Sequence, residues 1–177
     1  MKRLLLLRHA KAVAAGSKSG DHARALNERG RVDAPRIGVA MQHKRYLPQL
    51  VLCSTAKRTV ETWGHVASEL DATPEVKFLD ELYLAPWKVI ANAVRGSGDF
   101  AGVVLIVGHN PGLEECARTM ARKPQSPEER CRLDVLVEKF PTAALAVLDF
   151  DIGEWGELGI GTGTLADFIR PKDINAG

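Results

Sequence analysis

The stretch Leu4-Leu5-Leu6-Leu7-Arg8-His9-Ala10 decides the fold. Four consecutive apolar residues cut off by a basic pair read as a short strand buried on both faces, the pattern of a parallel sheet covered by helices. In open α/β sheets the ligand crevice lies just beyond the carboxyl ends of the strands. Arg8 and His9 therefore fall where chemistry is done. An imidazole beside a guanidinium suits a phosphoryl group: one ring nitrogen can attack phosphorus while the arginine holds the oxygens.

Outward from this strand, apolar runs at 50–53, 76–78, 103–107, 144–150 and 164–169 alternate with helix-like segments. The alternation predicts a single domain over 1–177 in the α/β class. Its architecture is a three-layer α/β/α sandwich with a mostly parallel, roughly six-stranded central sheet. Asn27 is placed to cap a helix running from Glu28 into the early forties, which Pro35 must bend or restart. Further helices are expected over 56–70, over 86–94, and from near Pro111, where a proline's missing N–H costs nothing.

Four segments fit this pattern less directly. Residues 14–22 (AAGSKSGDH) form a loop that serves as a lid or as a surface connector. Residues 123–142, with Pro124, Pro127 and Pro141, read as an excursion at the crevice rim or a surface insertion, with a helical core over 133–140. The Gly-rich segment 153–163 is expected to be a hairpin-like connection between the last two strands. The polar tail from Pro171 is expected to fray.

The bulk composition excludes some functions. With 45% hydrophobic and 26% charged residues, the 177-residue chain has the make-up of an ordinary globular protein. A net charge of +2 is too small to argue for nucleic acid or an anionic membrane as a partner. Cys53, Cys116 and Cys131 are odd in number and lack metal-ligand spacing. They are expected to be reduced thiols, two or all of them buried. Lys2 and Arg3 ahead of four leucines look like the start of a signal peptide, but the apolar run is too short and no cleavage site follows. A soluble, cytoplasmic protein without membrane segments is expected.

Two more segments bring basic groups to strand ends. In Cys53-Ser54-Thr55-Ala56-Lys57-Arg58-Thr59, a strand ends at a Ser/Thr pair and Arg58 falls in the first turn of the next helix. A helix N-terminus offers free N–H groups and a positive dipole end to an anion. In Ile106-Val107-Gly108-His109-Asn110-Pro111-Gly112, another strand delivers a glycine, which permits close backbone approach, and then a second histidine. Two histidines and two arginines past buried strands form a candidate site.

These motifs resemble the histidine phosphatase superfamily, the phosphoglycerate mutase-like or RHG group, and within it the small SixA-type protein-histidine phosphatases. The matching elements are LLRHAKA at 6–12, DHARALNERG at 21–30, CSTAKRT at 53–59, DELY at 80–83, VGHNP at 107–111 and FPTAALAVL at 140–148. The resemblance spans nearly the whole chain in order. It implies that His9 is the nucleophile, passing through a phosphohistidine intermediate. Arg8, Arg58 and His109 would surround the phosphate oxygens as the phosphate-binding residues. Glu81 falls where larger relatives place a carboxylic acid that protonates the leaving group; capping the surface turn is an equal alternative for it. No metal or cofactor is implied, because two arginines and a second histidine supply the charge. His109 could act protonated or neutral. Asp21 and Arg24 match a segment of the small members and read first as an ion pair or loop anchor.

Where larger members carry sugar-phosphate-binding residues, this chain has Gly16-Ser17-Lys18-Ser19-Gly20, which argues against mutase activity. The expectation is a metal-independent phosphatase acting on a phosphorylated substrate, plausibly a phosphohistidine-bearing signalling protein. A phosphatase of a small-molecule phosphoester and a non-catalytic phosphate- or phosphoprotein-binding module are the alternatives.

Overall fold

The computed structural model describes residues 1–16 and 20–174. Six strands form one sheet: β1 (Lys2–Arg8), β2 (Leu50–Ser54), β3 (Glu75–Leu79), β4 (Val103–Gly108), β5 (Leu145–Phe150) and β6 (Thr164–Ile169). Their order is β3-β2-β4-β1-β5-β6. The pairs β1–β4, β2–β4 and β2–β3 are parallel, whereas β5 runs antiparallel to β1 and to β6. Five helices cover the sheet: α1 (Glu28–His43), α2 (Lys57–Ala67), α3 (Trp87–Arg95), α4 (Gly112–Met120) and α5 (Pro127–Glu138).

The four leucines of β1 show why the strand is central. Side chains alternate between faces along a strand, and all four are fully buried. Leu4 and Leu6 pack with Ile90, Leu113 and Leu136 from α3, α4 and α5. Leu5 and Leu7 pack with Ile37, Met41, Trp63 and Val66 from α1 and α2. A strand that alternated apolar with polar residues could not fill both layers.

Local signals place the helix ends. The Asn27 side chain accepts from the Gly30 amide at 3.0 Å and caps α1 as expected. Of the two expected effects of Pro35, a restart does not occur, because α1 runs through it as one helix. Proline removes only the bond to the Arg31 carbonyl, and Arg31 is an exposed residue whose carbonyl water can satisfy. The second helix ends at Ala67, three residues short of the expected boundary. In the 123–142 region the helix starts at Pro127, well before the expected 133. Ser126 caps it by accepting from the Glu129 amide, and Pro127 sits in the first turn. Its apolar face is sparse, with only Leu136 buried, so apolar spacing alone misplaced its start.

The 153–163 connection does join antiparallel neighbours, but it holds a one-turn helix, Trp155–Glu157. Trp155 is fully buried and donates from its indole nitrogen to the Ala101 carbonyl at 2.8 Å. The tail past Pro171 is held in part, not frayed from there: Pro171–Asp173 forms a turn, and Arg36 donates to the Ile174 carbonyl. Residues 175–177 lie outside the described residues, as do 17–19 of the loop read as a lid or connector. Cys53 and Cys116 are buried free thiols and Cys131 is exposed. No helix among the described residues is long and apolar enough to cross a membrane.

Gly112 opens α4 where the backbone of the 80–85 connection crosses it. A Cβ there would overlap the Ala85 carbonyl oxygen and crowd the Ile90 side chain. Gly112→Ala is expected to destabilise the fold by about 2–3 kcal/mol through overpacking, measured by urea denaturation.

Candidate active site

Register brings the histidines together. In the parallel pair β1–β4, Arg8 stands opposite Gly108, so His9 and His109 each follow one residue beyond the same rung. The His9 amide donates to the Gly108 carbonyl at 3.0 Å, locking the two strand ends. The ring centroids of His9 and His109 are 5.2 Å apart. Arg58, in the first turn of α2, is buried to 1% exposure and places Nη2 3.3 Å from His109 Nδ1. Arg8 donates from Nη1 to the Phe140 carbonyl at 2.7 Å, and the Asn110 amide donates to that same carbonyl at 3.1 Å. The four basic residues expected to meet do meet at one edge of the sheet.

The hydrogen bonds fix the tautomers of both rings. His9 Nδ1 lies 2.7 Å from the Ala10 carbonyl, which can only accept, so Nδ1 carries the proton and Nε2 keeps its lone pair. A guanidinium can only donate, so His109 Nδ1 accepts from Arg58. The His109 proton then sits on Nε2 and is donated to Ser54 Oγ at 2.9 Å. Of the two states left open for His109, this arrangement is the neutral one.

Burial and charge agree with these assignments. Burial first, then the nearby Arg58 and Arg8, pull the His9 imidazole down to about 4. Burial, then His9 and Arg58, pull His109 down to about 3. Both rings are neutral at pH 7, whereas in the unfolded chain they titrate near 6.5. Between about pH 6.5 and 4 the unfolded state therefore binds more protons than the folded one, and stability falls as pH drops through that window. Denaturation midpoints measured from pH 7 to 4 are expected to fall, and a His9→Asn/His109→Asn variant is expected to flatten the slope. Asp21, held down to about 2 by the Tyr83 hydroxyl and by Arg58, loses its contribution only below this window.

Asp21 and Arg24 form the expected ion pair at 2.8 Å, but Asp21 does more than anchor a loop. Its Oδ2 accepts from Arg58 Nη2 at 3.0 Å and from the Tyr83 hydroxyl, and its carbonyl accepts from Arg58 Nη1 at 2.8 Å. The Tyr83 ring meets His109 edge-on, with centroids 5.5 Å apart. Sequence reading gave no role to Tyr83 or Ser54, although both lie inside quoted motifs. Pairing of β2 with β4 ends at Cys53 opposite Val107, so Ser54 follows at the same edge, and that register makes it a partner of His109.

Glu81 lies in a one-turn helix, Asp80–Leu82, just past β3 and at the same sheet edge. Its exposed side chain lines a groove with Lys77, Val89 and Asn92. Among the described residues it makes no hydrogen bond to the four basic groups. The described residues hold no group of three or more His, Cys, Asp or Glu side chains positioned for a metal ion.

Basic side chains crowded at the carboxyl edge of an α/β sheet define an anion-handling α/β protein. Residues 4–94 match the histidine phosphatase superfamily (branch 1), and the chain belongs to that family. An uncharacterized protein of Mycobacterium tuberculosis is 30% identical over 166 residues, covering 94% of this chain and 100% of that protein. The chain superposes on a structure provisionally assigned as phosphohistidine phosphatase SixA from Agrobacterium tumefaciens with a TM-score of 0.79 at 31% identity, covering 96% of this chain and 98% of that one. Its counterpart from Nakamurella multipartitia gives 0.81 at 29%, covering 96% of both. A protein histidine phosphatase SixA complexed with tungstate shares the fold, with a TM-score of 0.77 at 18% identity and coverage of 98% of this chain and 99% of that one.

Proposed function

We propose that this protein is a phosphatase working through a covalent phosphohistidine on His9, with a protein phosphohistidine as its substrate. The observation that carries the reading is the neutral His9 ring with its proton held on Nδ1 by the Ala10 carbonyl, beside Arg58 and His109. Nε2 attacks phosphorus and the bond from phosphorus to the substrate nitrogen breaks. The departing imidazole leaves already protonated. Water then attacks the phosphoryl group on His9, releasing inorganic phosphate and restoring the ring.

Arg8, Arg58 and His109 hold the phosphate oxygens in this reaction. The Nε donors of Arg8 and Arg58 are buried with no acceptor among the described residues. Unpaired buried donors are costly, and a phosphate oxygen satisfies them. A dianion arriving beside His109 also favours its protonated form, so that Nδ1 donates to the anion in place of accepting from Arg58. The charge a metal ion could bring is supplied by these cations.

Glu81 is the carboxyl available to an ester leaving group, which needs a proton that imidazole does not. Its exposure and its lack of a bond to the cluster favour the phosphohistidine substrate over the small ester. The names given to the similar structures from Agrobacterium tumefaciens and Nakamurella multipartitia point the same way. The test compares kcat/KM on a phosphohistidine peptide and on p-nitrophenyl phosphate. A clear preference for the peptide supports the reading; a much larger kcat/KM on the ester overturns the protein substrate.

A further inference from the structure

The sheet edge that holds the phosphate site continues past β1 to β5 and β6, because Leu7 pairs with Leu145 and Leu145 with Ile169. At the far end of this edge lies a second cavity of about 170 Å³, lined among others by Arg29, Lys139, Thr142, Arg170 and Lys172. Pro141 and Pro171 stiffen its walls. Among the described residues, the only acidic one in the lining is Glu138. Asp173 engages Arg170 at 2.6 Å and Asp33 lies 3.3 Å from Arg29. Lys139 and Lys172 have no ion-pair partner among the described residues.

One chain segment separates the two sites. The Phe140 carbonyl takes the Arg8 guanidinium on one side, while Lys139, Pro141 and Thr142 line the cavity. The Ala143 amide that follows donates to the Arg8 and His9 carbonyls, each at 3.1 Å. Two strand spacings, roughly 10 Å, separate the end of β1, which leads into His9, from the end of β6, which leads into Arg170 of the cavity lining. Small-molecule pockets usually need about 300–1,000 Å³. This cavity is too small for the body of a ligand and large enough for one anionic group.

We propose that this cavity is a second anion subsite, which receives an aspartate or glutamate side chain about three residues from the phosphorylated histidine of a protein substrate. An extended backbone advances about 3.3 Å per residue, so three residues match those two strand spacings. The unpaired lysines supply the attraction and the prolines hold the mouth open to a protruding carboxylate. The inference rests on the phosphatase reading and adds a sequence preference to it.

The test uses phosphohistidine peptides carrying aspartate at the third position before or after the histidine, and matched peptides carrying asparagine. The parent protein is expected to favour one aspartate peptide over its asparagine match by roughly 5- to 10-fold in kcat/KM, with the preference shrinking as salt rises. The K139E/K172E variant is expected to lose or invert that ratio, and K139Q/K172Q to reduce it. Equal rates on all peptides with the parent, or a ratio that both variants leave intact, overturn the subsite while leaving the phosphatase standing. A parent that hydrolyses neither the peptides nor p-nitrophenyl phosphate overturns the phosphatase reading, and the subsite falls with it.

Discussion

His9→Ala is expected to lower kcat by at least about 10⁴-fold and to abolish the acid-labile phosphoenzyme proposed for the parent. The size follows from the chemistry. Removing the ring leaves water as the only nucleophile, and the remaining basic groups contribute electrostatic stabilisation alone. The fold should tolerate the change, because the amide that pairs with the Gly108 carbonyl belongs to the backbone. His9 is 9% exposed and lies at the end of its strand, so the alanine protein should keep the parent's circular dichroism and still bind vanadate. Rapid acid quench with labelled substrate reads the intermediate directly. A variant that turns over within tenfold of the parent would place the nucleophile elsewhere.

The second large effect is at Arg58, where Arg58→Ala is expected to reduce kcat/KM by about 10³-fold, or about 4 kcal/mol of transition-state stabilisation. This arginine touches both sides of the site: His109 through Nη2, and Asp21 through both the side chain and the backbone. Its removal takes away two forked donors and also leaves the Asp21 carboxylate without its buried partner, facing the incoming anion. Lysine is a poor replacement, because a point charge cannot reach Asp21 and His109 together. Arg58→Lys should therefore recover less than tenfold of the loss. Steady-state kinetics and the inhibition constant of vanadate for the three proteins would decide it, and a drop of less than tenfold in Arg58→Ala would remove Arg58 from the phosphate site.

What could be read from the sequence was what periodicity and strand ends encode. Leu4 to Leu7 announced a strand buried on both sides, and the two histidines and two arginines announced the functional edge by following such strands. Asn27 declared its helix by capping chemistry. The misses share one physical origin: they depend on partners distant in sequence or on weak apolar patterns. Helix α5 buries only Leu136, so its start lay in the cap Ser126 and in Pro127, which a search for apolar spacing passes over. The tie from Asp21 to Arg58 and Tyr83 joins two separate loops to the first turn of α2, and no local pattern encodes it. Ser54 became a partner of His109 only once β2 was known to lie beside β4. Pro35 signalled a bend or a restart, and the restart did not occur, because surrounding packing outweighed a single lost bond.

The central position of β1 has a consequence for the protein's birth. β1 is hydrogen-bonded on one side to residues 103–108 and on the other to residues 145–150, both of which are synthesised long after it. Its leucines must wait, exposed, until those partner residues have been synthesised, and such distant pairings form slowly. A growing chain thus lacks the sheet edge that gathers its basic groups until residue 150 has been made, and during that interval the Leu4–Leu7 segment most needs a chaperone's cover.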